Sequence, residues 1–243
     1  MNYNKLEYFV SQPRLNRFLT ASGNSKTKTQ KLYHANLKVA QSFYPVLNVF
    51  EVFFRNVCNY QISARFANPN WIIAEKNGFM SHPSLTRSKF HLKNSVNNAE
   101  RNIIRKGGTL TAGKILAEQS FGFWTSFFEP HHYRLIGGVV IHCFPNKPAS
   151  ANRSVLSQKL DWIRDFRNRI YHNEPICFSG NNIDFAYATQ IKNELYELLN
   201  WIDSDLPAYV KTFDSIDNTI NSANRIWQNS FTRAVSTKSQ QKR

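Results

Sequence analysis

At 243 residues, with 42% apolar and 14% aromatic side chains, the chain carries too much hydrophobic material for a disordered segment and enough to bury a core. Thirty-one Lys and Arg against 16 Asp and Glu leave a formal charge of +15, which favours a polyanionic partner, nucleic acid or an anionic surface. Cys58, Cys143 and Cys177 are widely spaced and form no C-x-x-C pair, which argues against a disulfide framework or a cysteine zinc site and fits a reducing cytoplasm.

Helical periodicity runs through the chain. Leu6, Phe9 and Val10 form a short apolar face. Ser11, Gln12 and Pro13 then supply a cap and a proline where a helix can begin, with Leu15, Phe18 and Leu19 on its apolar side and Gly23 as its stop. Two separate helices are expected over 32–43 and 45–66, the second apolar nearly all round, as in a central buried helix. The stretch 68–87 reads as loop with a short helix, 89–104 as a polar helix ending at Gly107-Gly108, and 112–128 as a helix with an apolar face. After a loop over 145–153, strong helices are expected over 154–171 and 184–202, and a weaker one over 216–231. No stretch alternates with period two, so no sheet is expected. The predicted architecture is all-α with one core, a single domain over 1–232 followed by a mobile basic tail over 233–243.

Nothing at Met1 to Lys5 has an apolar signal core behind it. The apolar stretch 43–62 is broken by Asn48, Glu51, Arg55 and Asn56, and the run 135–144 is too short for a bilayer. A soluble cytoplasmic protein with no membrane partner is the expectation.

The segment Arg167-Asn168-Arg169-Ile170-Tyr171-His172, followed by Asn173-Glu174-Pro175, gathers a permanent cation, an amide and an imidazole at a helix end. Leu156, Leu160, Ile163 and Ile170 fall on one helical face, and Arg167 falls on it too. A guanidinium turned toward the apolar side requires an anionic partner or a shared cleft. Arg164 and Arg169 point elsewhere and are expected to be solvated. Pro175 disfavours helical geometry at Glu174, so His172 is expected at or just past the last turn, able to lean back toward Arg167.

These groups suit phosphodiester chemistry. RNA carries its own nucleophile, the 2′-hydroxyl; cleavage requires that hydroxyl deprotonated, the leaving 5′-oxygen protonated and the phosphate stabilised. Histidine performs either proton transfer near neutral pH and arginine stabilises the phosphate. One histidine is thin for both transfers, and two copies facing each other across a homodimer would supply a pair. The alternative readings are an ordinary basic helix end, with His172 at the negative pole of the dipole, and a non-catalytic module that binds RNA or a protein partner.

R-N-x-x-x-H at the end of an apolar helix in an all-α chain resembles the HEPN superfamily motif, with Arg167, Asn168 and His172 at its Arg, polar and His positions. The run from Phe166 to Ile176 resembles the Abi-like proteins linked to abortive phage infection. Three further stretches resemble that family: Gln12-Pro13-Arg14-Leu15 with Phe18-Leu19, Phe50-Glu51-Val52 through Arg55-Asn56, and Ser120-Phe121-Gly122-Phe123-Trp124. The likeness reaches from the N-terminus to about Trp201. It implies a HEPN-like helical bundle with additional helices and a metal-independent endoribonuclease with no cofactor, acting as a homodimer and leaving a 2′,3′-cyclic phosphate. It also implies a place in phage defence or growth arrest, with RNA as substrate and an antitoxin or regulatory protein as a further partner. The resemblance makes Arg167, His172 and Asn168 the catalytic set. Arg169 and Tyr171 beside them, with Glu51, Arg55 and Asn56, would line the substrate cleft. The earlier helix departs from relatives that carry a histidine soon after Arg-Asn, since Asn59 stands in that neighbourhood.

Other features read differently. Glu51 and Arg55, four apart in a very apolar helix, form either a buried intrahelical ion pair or part of that cleft. Gly108 to Lys114 matches the start of a phosphate loop, but Ile115 stands where a magnesium-binding hydroxyl belongs and no strand precedes it. Glu129, His131 and His132 lie in a proline-containing stretch without helical ligand spacing and are expected to be surface residues. Phe121, Phe123, Trp124, Phe127 and Phe128 read as core or dimer seam.

Overall fold

Apolar residues recurring at three- and four-residue steps fold into helices throughout residues 1–225, the part of the chain described by this computed structural model. In chain order these are α1 (Tyr3–Val10), α2 (Gln12–Ala21), α3 (Lys26–Phe66), α4 (Trp71–Ala74), α5 (His91–Arg105), α6 (Ala112–Ala117), α7 (Phe121–Thr125), α8 (Pro130–Leu135), α9 (Arg153–Tyr171), α10 (Ala186–Ile202) and α11 (Leu206–Lys211). Residues 216–225 are also helical. The fold class is all-α. No helix among the described residues is long and apolar enough to cross a membrane. The end of the helix expected over 216–231 and the basic tail expected over 233–243 lie outside the described residues.

The N-terminal punctuation behaves as its chemistry dictates. Asn2 accepts from the Lys5 backbone N–H at 3.0 Å to cap α1, and Pro13 sits in the first turn of α2, where a missing N–H costs nothing. Gly23, at φ +61°, ends that helix.

Three expectations are corrected. The segments 32–43 and 45–66 belong to one 41-residue helix, α3, with Pro45 inside it. The bond that Pro45 cannot make falls on the carbonyl of Gln41, an exposed residue that water can serve, while Val46, Leu47 and Phe50 bury on the next turn and carry the helix onward. Second, the stretch 112–128 is broken into α6, α7 and a 3₁₀ turn, Ser126–Phe128. Of the eight residues 121–128, all but Gly122 are buried, and one straight helix buries only one face; Ser120 leaves the helical region, at ψ 162°, and lets the chain turn its aromatics inward. Third, a minimal hairpin joins Phe178–Ser179 to Asn182–Ile183, with Gly180 at φ +57° in its two-residue loop. Strands of two residues are too short to show an alternation.

The chain divides into two compact units. The first holds Met1–Leu47, Asp165–Leu195 and the residues from Ala208; the second holds Asn48–Arg164 and Tyr196–Pro207. Helices α3, α9 and α10 each contribute residues to both. In the first unit, Tyr3, Leu6 and Leu15 form a buried cluster, and Phe166 meets Phe43 at 4.7 Å and Tyr187 at 5.6 Å between ring centroids. The second is an aromatic core. Phe54 contacts Phe50, Phe121, Phe128 and Phe144 at about 6 Å, and Trp124 packs on Trp71, Phe123 and Phe127. The aromatic set 121–128 is thus core. Cys58 and Cys143 bring their sulfurs to 3.6 Å within this unit, and they and Cys177 are buried thiols.

Candidate functional site

The site is built at the C-terminal end of α9. Leu156, Leu160, Ile163, Phe166 and Ile170 are its buried stripe, so Phe166 rather than Arg167 occupies the apolar face, with Arg167 half-buried at its edge. The helix stops because Asn173 turns left-handed, at φ +54°. Its N–H reaches the Ile170 carbonyl at 3.0 Å and the Glu174 N–H reaches the Arg169 carbonyl at 2.8 Å, the paired bonds of a Schellman cap. This cap makes His172 the boundary residue, its own N–H still bonded to Asn168 O at 2.9 Å. The imidazole is exposed at the helix end, where the proline after Glu174 predicted it.

The loop beyond is anchored in the first unit. Asn36, buried on α3, accepts from the Ile176 N–H at 2.8 Å. Arg17 on α2 donates to the Gly180 carbonyl at 2.8 Å and stacks over Phe178. The hairpin and the segment after the motif are thereby tied to the helices that carry the core.

Within the motif, the guanidinium of Arg167 lies over the Tyr171 ring, 4.1 Å from its centroid, and its Nη1 reaches Asn168 Oδ1 at 3.5 Å. Tyr171 is 41% exposed and packs edge-on against Tyr44 of α3 at 5.2 Å. A stacked guanidinium still donates through its in-plane N–H edge, the edge that reads phosphate oxygens. Arg167, Asn168 and Tyr171 are therefore brought together.

Arg169 is not the solvated residue expected from its helical position. It is half-buried, donates to the Pro175 carbonyl, approaches Glu174 Oε2 at 3.6 Å and lies over Tyr187. The ion pair stands where a Schellman cap usually places an apolar contact, so Arg169 braces the turn that holds His172. Arg164, also expected to be solvated, pairs with Asp161 at 3.0 Å and donates to Thr125 Oγ1 at 3.1 Å in the second unit.

Glu51, Arg55 and Asn56 belong to the second unit. There Glu51 and Arg55 line a cavity of about 210 Å³ together with Asn48, Gln119 and Trp124. The Trp124 indole N–H is buried and has no hydrogen-bond partner among the described residues. Asn56 is half-buried and is not one of its lining residues. Sequence reasoning missed a further basic surface, the exposed Arg101 and Arg105 of α5, supported by Asn98 and Asn102. The R-x-x-x-R spacing was its available signal.

The Glu129–His131–His132 group departs most from expectation. Pro130 opens α8 instead of interrupting a loop, and this turns His132 wholly inward. Its Nδ1 donates to the Ser126 carbonyl at 2.9 Å. Burial lowers its pKa to about 4, with the Ser126 bond opposing and the neighbouring His131 and His91 adding to the fall, so the ring is neutral at pH 7.

No protein-family model matches the chain, and neither the curated proteins nor the solved structures give a match.

Proposed function

We propose that the chain is a HEPN-type endoribonuclease that cleaves RNA without a metal and leaves a 2′,3′-cyclic phosphate, in the setting of phage defence or growth arrest. The observation that carries this reading is the end of α9, where a ring-stacked Arg167 and an exposed His172 lie one helical turn and a cap apart.

In this reading Arg167 holds the scissile phosphate through its N–H edge and Asn168 orients that guanidinium. His172 moves a proton at the 2′-hydroxyl or the leaving 5′-oxygen. Tyr171 keeps the guanidinium in place, and Arg169 holds the turn. A homodimer supplies the second imidazole. The charge of +15, with Arg101 and Arg105 on an exposed face, gathers RNA through its phosphates without reading sequence.

The test compares labelled RNA cleavage and RNA binding in wild type, Arg167→Ala and His172→Ala. Loss of cleavage by about 10²-fold or more in both variants, with folding and most binding retained, is expected. Unchanged cleavage in both would overturn the assignment, and salt-sensitive binding without cleavage by wild type would favour a non-catalytic RNA-binding module.

A further inference from the structure

A second constellation lies in the second unit, apart from the residues assigned to RNA cleavage. Glu129 precedes α8, and His131 and His132 occupy the first turn of that helix. One donor atom from each of the three lies within 4.8 Å of the others. Glu129 Oε2 stands 3.0 Å from His131 Nε2 and 3.7 Å from His132 Nδ1, and the two imidazole centroids are 4.1 Å apart.

The hydrogen bonding around these atoms is incomplete in an informative way. The Nε2 atoms of both histidines are buried and have no hydrogen-bond partner among the described residues. The 3.0 Å approach of Glu129 to His131 therefore lacks hydrogen-bond alignment. A carbonyl oxygen only accepts, so His132 Nδ1 carries the proton that reaches Ser126 O, and its Nε2 keeps a lone pair. This backbone bond is the device that orients a metal-binding imidazole and fixes its tautomer. An ion pair between Glu129 and His131 alone would leave the wholly buried His132 Nε2 unexplained. A cation shared by all three donors accounts for both orphaned nitrogens.

We propose that Glu129, His131 and His132 form a three-ligand site for a divalent transition metal of the Zn²⁺ class, with a fourth position open to solvent. Two imidazoles and one carboxylate suit zinc and its neighbours, whereas Mg²⁺ and Ca²⁺ demand oxygen donors. Zinc bonds of about 2.0–2.2 Å put tetrahedral ligand atoms roughly 3.3 Å apart, close to the 3.0 Å between Glu129 Oε2 and His131 Nε2. The partly exposed side chains of Glu129 and His131 supply the entry path. The bound ion would fasten the 3₁₀ turn Ser126–Phe128, through His132, to the start of α8.

Equilibrium dialysis of the full chain against Zn²⁺, with bound metal quantified, tests this directly. One ion per chain is expected. Glu129→Gln and His131→Gln should each weaken retention by at least about tenfold, more than the loss of an outer-shell partner costs at its mildest. His82→Gln, at an exposed histidine elsewhere in the unit, should leave retention unchanged. Circular dichroism reports whether each variant stays folded. Co²⁺ added to wild type should give the intense visible bands of a tetrahedral nitrogen- and oxygen-ligated ion, a readout independent of any substitution. Absence of retained Zn²⁺ and of those bands, or equal retention in the folded Glu129 and His131 variants, would overturn the proposal.

Discussion

The Arg167 guanidinium rests on the Tyr171 ring, 4.1 Å from its centroid, and that ring is itself braced edge-on by Tyr44. The cation is thus held by its face, the stacking geometry on which the proposed role of this arginine rests. Tyr171→Phe preserves the ring and should leave RNA cleavage near wild type. Tyr171→Ala removes a contact of about 0.5–1 kcal/mol and should lower cleavage about two- to fivefold, measured under single-turnover conditions. An equal loss in both variants would assign the role to the hydroxyl instead of the ring.

The left-handed residue Asn173 sets where α9 stops and therefore where His172 stands. Asn173→Gly should be tolerated or mildly stabilising. Asn173→Val, which disfavours positive φ, should cost roughly 1–2 kcal/mol in urea unfolding and should also lower cleavage by displacing the histidine.

How much of this was legible in the residues depends on the range of the governing interaction. The end of α9 follows from local chemistry: Pro175 restricts Glu174, Asn173 accepts the left-handed turn, and both act within a few residues of His172. Pro45 misled for the complementary reason, because its local preference breaks helices while burial of Val46, Leu47 and Phe50 carries α3 past it. Pro130 has two local meanings, loop or first helical turn, and packing of the second unit selects the latter, which buries His132. The partners of Arg169 lie beyond its own helix, at Pro175, Glu174 and Tyr187, so a helical wheel alone shows it only as a surface residue. Glu51 and Arg55 do share a cavity, but its other walls come from the 117–124 stretch, which spacing within α3 cannot reveal.

Asn36 fastens the loop after the motif through one buried bond to the Ile176 N–H. Asn36→Ala leaves that N–H buried without a partner, and a loss of about 1–3 kcal/mol is expected. Hydrogen exchange at Ile176 should accelerate in the folded variant; unchanged protection there would show that the bond does not hold the loop.

In the metal-free chain, the buried neutral ring of His132 makes the fold sensitive to acid. Its folded pKa of about 4 lies below the ordinary value of 6.5, so between these pH values the unfolded chain binds a proton that the folded chain refuses. Stability should be undiminished by this group above pH 6.5 and fall as the pH drops toward 4, by up to about 3 kcal/mol. Denaturant titrations across that range should show a shallower slope in His132→Gln, by close to one proton. An identical slope in the variant would mean that other groups govern the acid limb.

Buried sulfurs give a chemical check on the packing. Burial raises the pKa of Cys58 well above its ordinary value and that of Cys177 to about 12, leaving little thiolate at neutral pH. A thiol reagent should modify the native chain slowly and the unfolded chain at once at all three cysteines, and fast labelling of native Cys58 or Cys177 would contradict the described burial.

The most direct test of the central claim is the chemistry of the RNA ends left by wild type and by His172→Ala, incubated with labelled RNA in EDTA at matched purity. The account predicts 2′,3′-cyclic phosphate ends from wild type and none above background from the folded variant. The same ends in equal yield from both proteins would contradict it, because cleavage would then owe nothing to the histidine at the end of α9.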